Sequence, residues 1–168
     1  YAAAGYTAFN PQDRPVPDVS FEARHAFSLG GLDVVLIAVP GAETNDSLVV
    51  WLPQHRIVLT GNLFGCPFGH FPNLVTIRGD RYRDALTCAA AAQTVLDLQP
   101  ETILYGHHEP IEGADLIRAE LCAYRDAILH VHDEVVKGMN AGKALHVLQQ
   151  DITLPAELDV GQGYGKVN

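Results

Sequence analysis

An α/β unit followed by an all-helical region is the fold class that the sequence predicts, with a boundary near Gly113. Three observations predict it. β-rich apolar runs succeed one another between residues 20 and 61. A single helical stretch then separates them from a further short strand ending at Gly106. From Ala114 the texture changes to long helical periodicity.

The elements follow in order. Residues 1 to 18 hold the Pro-rich "NPQDRPVPD" and read as connecting loop. "SFEARHAFSLGG" alternates through Phe21, Ala23, His25 and Phe27 and turns at Gly30-Gly31, as a strand would. "LDVVLIAVP" is an apolar strand, long enough to lie buried in a sheet. After the loop "GAETND", "SLVVWLP" and "RIVLTG" are joined by the short turn "PQH" and predict an antiparallel hairpin. "NLFGCPFGHFPN" has no periodicity and is rich in Gly, Pro and aromatics, the composition of a functional loop.

"RYRDALTCAAAAQTVLDLQP" predicts a helix with Ala85, Leu86, Ala89, Ala92 and Leu96 on one face, closed by Pro100. "ETILYG" predicts a short strand, and "HHEPIEG" a loop at its carboxyl end. In the region from Ala114 the stripe Leu116, Ala119, Ala123, Ala127 and Val131 predicts one long helix ending at Gly138 or Asn140. "AGKALHVLQQD" predicts a further short helix, before "ITLPAEL" and the glycine-rich "VGQGYGKVN".

Composition narrows the function classes. The 168 residues are 48% hydrophobic and 18% charged, which is globular rather than disordered. Eleven Lys and Arg against 20 Asp and Glu give a net charge of −9, and no basic cluster exists to neutralise nucleic-acid phosphates. No apolar run approaches a membrane span: residues 32 to 39 carry Asp33 and stop at Pro40. The three cysteines, Cys66, Cys88 and Cys122, fit neither a disulfide framework nor a zinc knuckle. Cys88 and Cys122 read as small buried hydrophobes, and reduced thiols point to a cytoplasmic compartment. The first residue is Tyr1 rather than Met, so the sequence reads as an excerpt of something longer.

Eight histidines mark a candidate metal protein. Polar residues gather where strands end: Glu43 and Asp46 after Pro40, Asn62 after "RIVLTG", His107 and His108 after "ETILYG". Imidazole and carboxylate are both good zinc ligands. Spacing alone also admits a solvated loop residue at Glu43, a turn residue at Asn62 and a hydrogen-bonded strand end at His107-His108. His130 and His132, two apart on a helix, cannot share a face and cannot chelate together. His25, His55 and His146 are isolated. In "NLVTIRGDRYRD", Arg78 lies beside the irregular loop and suits a pocket for a tetrahedral oxyanion. Arg81 and Arg83 read as decoration of the helix start, with Asp80 and Asp84 as salt partners.

Together, "AVPGAETNDSLVVWLPQHRIVLTGNLFG", "YGHHEP", "NLVTIRGDRYRD" and "LPAEL" with "GYG" resemble the alkylsulfatase group of the metallo-β-lactamase superfamily, over roughly residues 20 to 168. The resemblance implies that residues 1–113 are the second half of an αββα metallo-β-lactamase sandwich. It implies that residues 114–168 start a helical dimerisation region, and hence a homodimer. The implied activity is cleavage of a small anionic sulfate ester by metal-activated water at a two-zinc centre. By the same resemblance Glu43 and His107 match metal ligands, Asn62 falls on the bridging-carboxylate position, and Asn73 and Arg78 match the sulfate pocket. His108 is left to donate to the substrate or its leaving group. The family's "HxHxDH" motif is absent from these residues and belongs upstream. Asn62 replaces a carboxylate, and a neutral amide bridges two cations poorly, so one zinc is an alternative to two. The rival readings are a hydrolase of the same fold acting on a lactone, carboxylic ester or phosphoester, and a non-catalytic assembly fragment.

Overall fold

The computed structural model describes residues 16–64, 74, 83–106 and 109–158. Six strands lie in one sheet in chain order: β1 (Arg24–Leu29), β2 (Leu32–Ala38), β3 (Leu48–Leu52), β4 (Ile57–Gly61), β5 (Thr102–Tyr105) and β6 (Ile111–Glu112). The helices are α1 (Ala85–Leu98), α2 (Ala114–Asn140) and α3 (Leu145–Asp151), with a 3-10 turn at Ala156–Leu158.

The first four strands form an antiparallel meander, because short turns can join only antiparallel neighbours. Gly30 and Gly31, at φ of 58° and 86°, supply the paired left-handed conformation that a tight two-residue hairpin requires. β4 and β5 are parallel, and α1 is the crossover that this geometry demands. β6 pairs antiparallel to β5. It falls where the sequence predicts loop, since two residues after Pro110 carry no readable alternation.

Register explains the core. Val35, Trp51, Val58 and Ile103 face one another across four strands and are all buried. They pack with Ala89, Ala92 and Val95 of α1 and Ile117, Leu121, Tyr124 and Ile128 of α2 in one cluster. Burying a side chain such as Ile103 or Val58, both 0% exposed, contributes roughly 1.5–3 kcal/mol. The next register row is also apolar: Leu36, Val50, Leu59 and Leu104. These four are only half-buried, on the face turned away from the helices. A sheet with one solvated face alternates apolar with polar residues, whereas this one is apolar on both.

Two expected helix faces need correction. On α2 the buried residues are Ile117, Leu121, Tyr124, Ala127, Ile128 and Gly138; of the expected stripe Ala127 is buried, whereas Leu116 is 51% exposed and Ala119 lies at the surface. The expected stripe was displaced by about one position, because alanines and leucines flank the true face on both sides. On α1, Ala89 and Ala92 are buried as expected together with Cys88, Ala91 and Val95, but Leu86 is 48% exposed. α1 ends at Leu98 and is capped by Gln99, left-handed at φ 52°, immediately before Pro100.

Candidate active-site edge

β2 is antiparallel to β3 and β3 to β4, so β2, β4 and β5 all run in the same direction. Their carboxyl ends therefore share one edge of the sheet, and the segments that leave them carry Glu43, Asn62 and Gly106. Carboxyl ends of parallel strands are where loops can converge on a ligand without disturbing the sheet.

Glu43 sits in a loop whose backbone is held by the start of α1. The Asp84 N–H donates to the Gly41 carbonyl at 3.1 Å, and the Thr87 hydroxyl donates to the same oxygen at 2.9 Å. The Cys88 thiol donates to the Ala42 carbonyl at 3.2 Å. Arg83 Nε donates to the Glu43 carbonyl at 2.8 Å, and its Nη2 contacts Glu43 Oε1 at 2.5 Å. Three successive carbonyls are thus satisfied by the first turn of the helix and the two residues before it. The far side of the loop closes on itself: Thr44 N–H donates to Ser47 Oγ at 2.8 Å, and the Thr44 hydroxyl donates to Asp46 Oδ1 at 2.6 Å. That bond holds the exposed Asp46 carboxyl below the usual carboxylate range.

The Arg83–Glu43 pair corrects two expectations. Glu43 is not a solvated loop residue, since its side chain is 27% exposed and ion-paired. Arg83 does not decorate the helix surface with Asp84; its side chain is 8% exposed and it reaches across 40 positions to Glu43. Asp84 instead caps α1, accepting from the N–H groups of Leu86 at 2.9 Å and Thr87 at 3.1 Å. Nothing in local spacing pairs residue 43 with residue 83, so sequence reading favoured the near acidic neighbours.

Asn62 follows Gly61, which at φ 58° ends β4 beside a register shift in the β4–β5 ladder. The turn is fixed from within: the buried Thr60 hydroxyl donates to the Phe64 carbonyl at 2.8 Å. Gly106 N–H donates to the Gly61 carbonyl at 2.8 Å, which brings the two strand ends together. A Cβ on Gly106 would stand 2.9 Å from Asn62 Oδ1 and 3.2 Å from the Gly61 carbonyl oxygen. Asn62 is therefore adjacent to the corner that leads into His107. His107, His108, Asn73, Arg78 and Cys66 lie outside the described residues, as do Asp80 and Arg81.

Behind the edge lies a buried layer that sequence reading did not single out. The Tyr124 ring of α2 packs against Phe64 at 5.7 Å between centroids. Burial, and then the neighbouring Cys88, Tyr105 and Glu43, push its phenol up from the ordinary value. Burial also pushes the Cys88 thiol up, to about 11, with Asp84 adding to the rise. The place of Tyr124 on the buried stripe of α2 appears only once that face is located.

Three further histidines make local contacts. His25 lies between Phe21 and Phe27, with ring centroids at 6.0 and 5.8 Å. His130 Nε2 is 3.1 Å from the Thr153 carbonyl and ties α2 to the segment after α3. His132 Nδ1 lies 2.9 Å from Asp133 Oδ1. Among the described residues no three metal-ligating side chains cluster. Glu43 and Asn62 supply oxygen donors that suit zinc in kind, but two are fewer than the three protein ligands such a site takes. Among the described residues no helix is long and apolar enough to cross a membrane.

No family model matches the sequence. Individual proteins do. The chain is 30% identical over 131 residues to a linear primary-alkylsulfatase from Pseudomonas sp., covering 78% of this chain and 24% of that protein. Among solved structures it superimposes on the stereoselective inverting sec-alkylsulfatase Pisa1 from Pseudomonas sp. with a TM-score of 0.73 at 26% identity. That match covers 86% of this chain and 23% of the other. A metallo-β-lactamase family protein from Thermus thermophilus shares the fold at a TM-score of 0.53 and 18% identity, over 76% of this chain and 40% of its own. The chain spans about a quarter of the length of the two alkylsulfatases. In sequence and in fold, then, this chain is a homologue of a segment of the alkylsulfatases, built on the metallo-β-lactamase fold.

Proposed function

We propose that the chain is the second half of a metal-dependent hydrolase that cleaves sulfate esters, working with an upstream half that supplies further ligands. The observation that carries this reading is the shared sheet edge, where an anchored carboxylate, Glu43, and an amide, Asn62, stand at the carboxyl ends of strands running the same way. Homology to alkylsulfatases supports the choice of sulfate over other esters. The coverage of about a quarter of those relatives, together with the apolar, half-exposed second face of the sheet, supports a missing layer.

In this reading Glu43, Asn62 and His107 would hold the metal. Zinc, when bound, lowers the pKa of its water and polarises the ester. Asn62, being neutral, leaves a second metal position weaker than a carboxylate would, so one zinc is the minimum. Asn73 and Arg78 hold the sulfate head group, for which a guanidinium fork is a good match. His108 donates to the leaving oxygen. The helices from Ala114 onward serve assembly into a homodimer, a role that the exposed Val136, Met139 and Leu145 favour.

A panel of alkyl sulfates, phosphodiesters and lactones on the complete polypeptide tests the substrate class. Turnover of alkyl sulfates alone supports the reading, and turnover confined to lactones or phosphodiesters overturns it. Arg78→Ala is expected to raise KM for sulfate esters about 10-fold or more, as loss of a charge-assisted contact of roughly 1.5–3 kcal/mol does. An unchanged KM removes Arg78 from the head-group site.

A further inference from the structure

We propose that Arg83 is a positioning residue: it fixes the Glu43 carboxylate in the orientation a metal ion needs. The inference rests on the reading of Glu43 as a ligand and adds a residue that the sequence assigned to the helix surface. Arg83 makes two contacts to one residue, Nε to the Glu43 backbone carbonyl at 2.8 Å and Nη2 to Oε1 at 2.5 Å. A planar fork that grips both the main chain and the carboxylate fixes the side-chain torsions between them. A lysine, with one ammonium on a flexible stem, cannot reproduce that.

Burial adds to the constraint. The Arg83 side chain is 8% exposed against 27% for Glu43, so the cation lies deeper and the carboxylate projects outward from it. Oε1 is occupied by the guanidinium, and among the described residues no donor reaches Oε2. In this reading Oε2 is the oxygen that Glu43 offers to the metal. The loop under it cannot drift, because Asp84, Thr87 and Cys88 hold the carbonyls of Gly41 and Ala42. The start of α1 thus acts as a clasp on a ligand that comes from β2. Partners that orient a metal ligand in this way are typically worth roughly 10–100-fold in metal affinity.

Zinc affinity of the complete polypeptide, measured by competition with a chromophoric chelator, tests the proposal in a double-mutant cycle of Arg83→Met and Glu43→Gln. Each folded variant is confirmed by circular dichroism. The expected result is a loss of about 10-fold or more for Arg83→Met in the wild-type background and less than about 2-fold in the Glu43→Gln background. Arg83→Lys is expected to recover part of the loss, and it carries the same cycle should Arg83→Met not fold. Equal losses in both backgrounds would mean that Arg83 acts on the fold generally, and the proposal falls. A rise in affinity, as simple removal of a nearby positive charge would give, also overturns it. If Glu43→Gln alone leaves zinc affinity unchanged, the ligand reading itself fails, and the clasp with it.

Discussion

Cys88 and Glu43 show how far a residue's role depends on partners distant in sequence. Cys88 reads as a small buried hydrophobe, and it is 4% exposed, but its thiol also donates to Ala42 under the candidate site. With its pKa pushed up to about 11 from 9.0, the thiol stays protonated at neutral pH and is a poor nucleophile. Cys122 is half-buried on α2. Iodoacetamide at about pH 8, read by peptide mapping, is expected to modify Cys122 much faster than Cys88; equal rates would contradict the burial described. The sign of the pH effect follows from the same shift. Folding favours the protonated thiol, so this contribution to stability is complete below pH 9.0 and is lost as pH rises through about 11. Denaturation midpoints that fall across that window in the wild type, and fall less in Cys88→Ala, are the expected outcome.

At the scale of elements, α1 has two duties. It is the crossover between parallel β4 and β5, and its first turn holds the 41–43 loop. Asp84 caps it through two N–H groups, and Asp84→Ala is expected to cost about 0.5–2 kcal/mol in chemical denaturation. No change in midpoint would show the cap to be idle. Gly106→Ala tests the junction of β4 and β5. The added methyl meets Asn62 Oδ1 at 2.9 Å and the Gly61 carbonyl at 3.2 Å, so Asn62 must move aside. A stability loss of about 1–3 kcal/mol is expected, with weaker metal binding. Much of this level was legible beforehand. The strand runs, the hairpin at "PQH", the Gly30-Gly31 turn and the helix closed by Pro100 all rest on local periodicity and turn chemistry, which short stretches carry. The two-residue β6 and the buried face of α2 were not legible, because one is too short to alternate and the other has small apolar residues on both sides. The Arg83–Glu43 pair was illegible for another reason: it is a tertiary contact between residues whose near neighbours offer equally good charges.

On the scale of the whole molecule, one face of the sheet is packed and the other is apolar yet half-exposed, along Leu36, Val50, Leu59 and Leu104. The isolated chain is therefore expected to bind a hydrophobic dye and to self-associate, more than the complete polypeptide does. It is also expected to hold zinc weakly, since its described donors are too few. Tight stoichiometric zinc on the isolated chain would contradict that. The central claim, that the edge bearing Glu43 is the metal corner of a sulfate-ester hydrolase, is tested most directly by release of inorganic sulfate from a primary alkyl sulfate. The complete polypeptide should release sulfate, stop when its metal is chelated and resume when zinc is returned, while Glu43→Ala should remain at background throughout. Sulfate release that survives chelation, or that Glu43→Ala retains in full, would contradict the account.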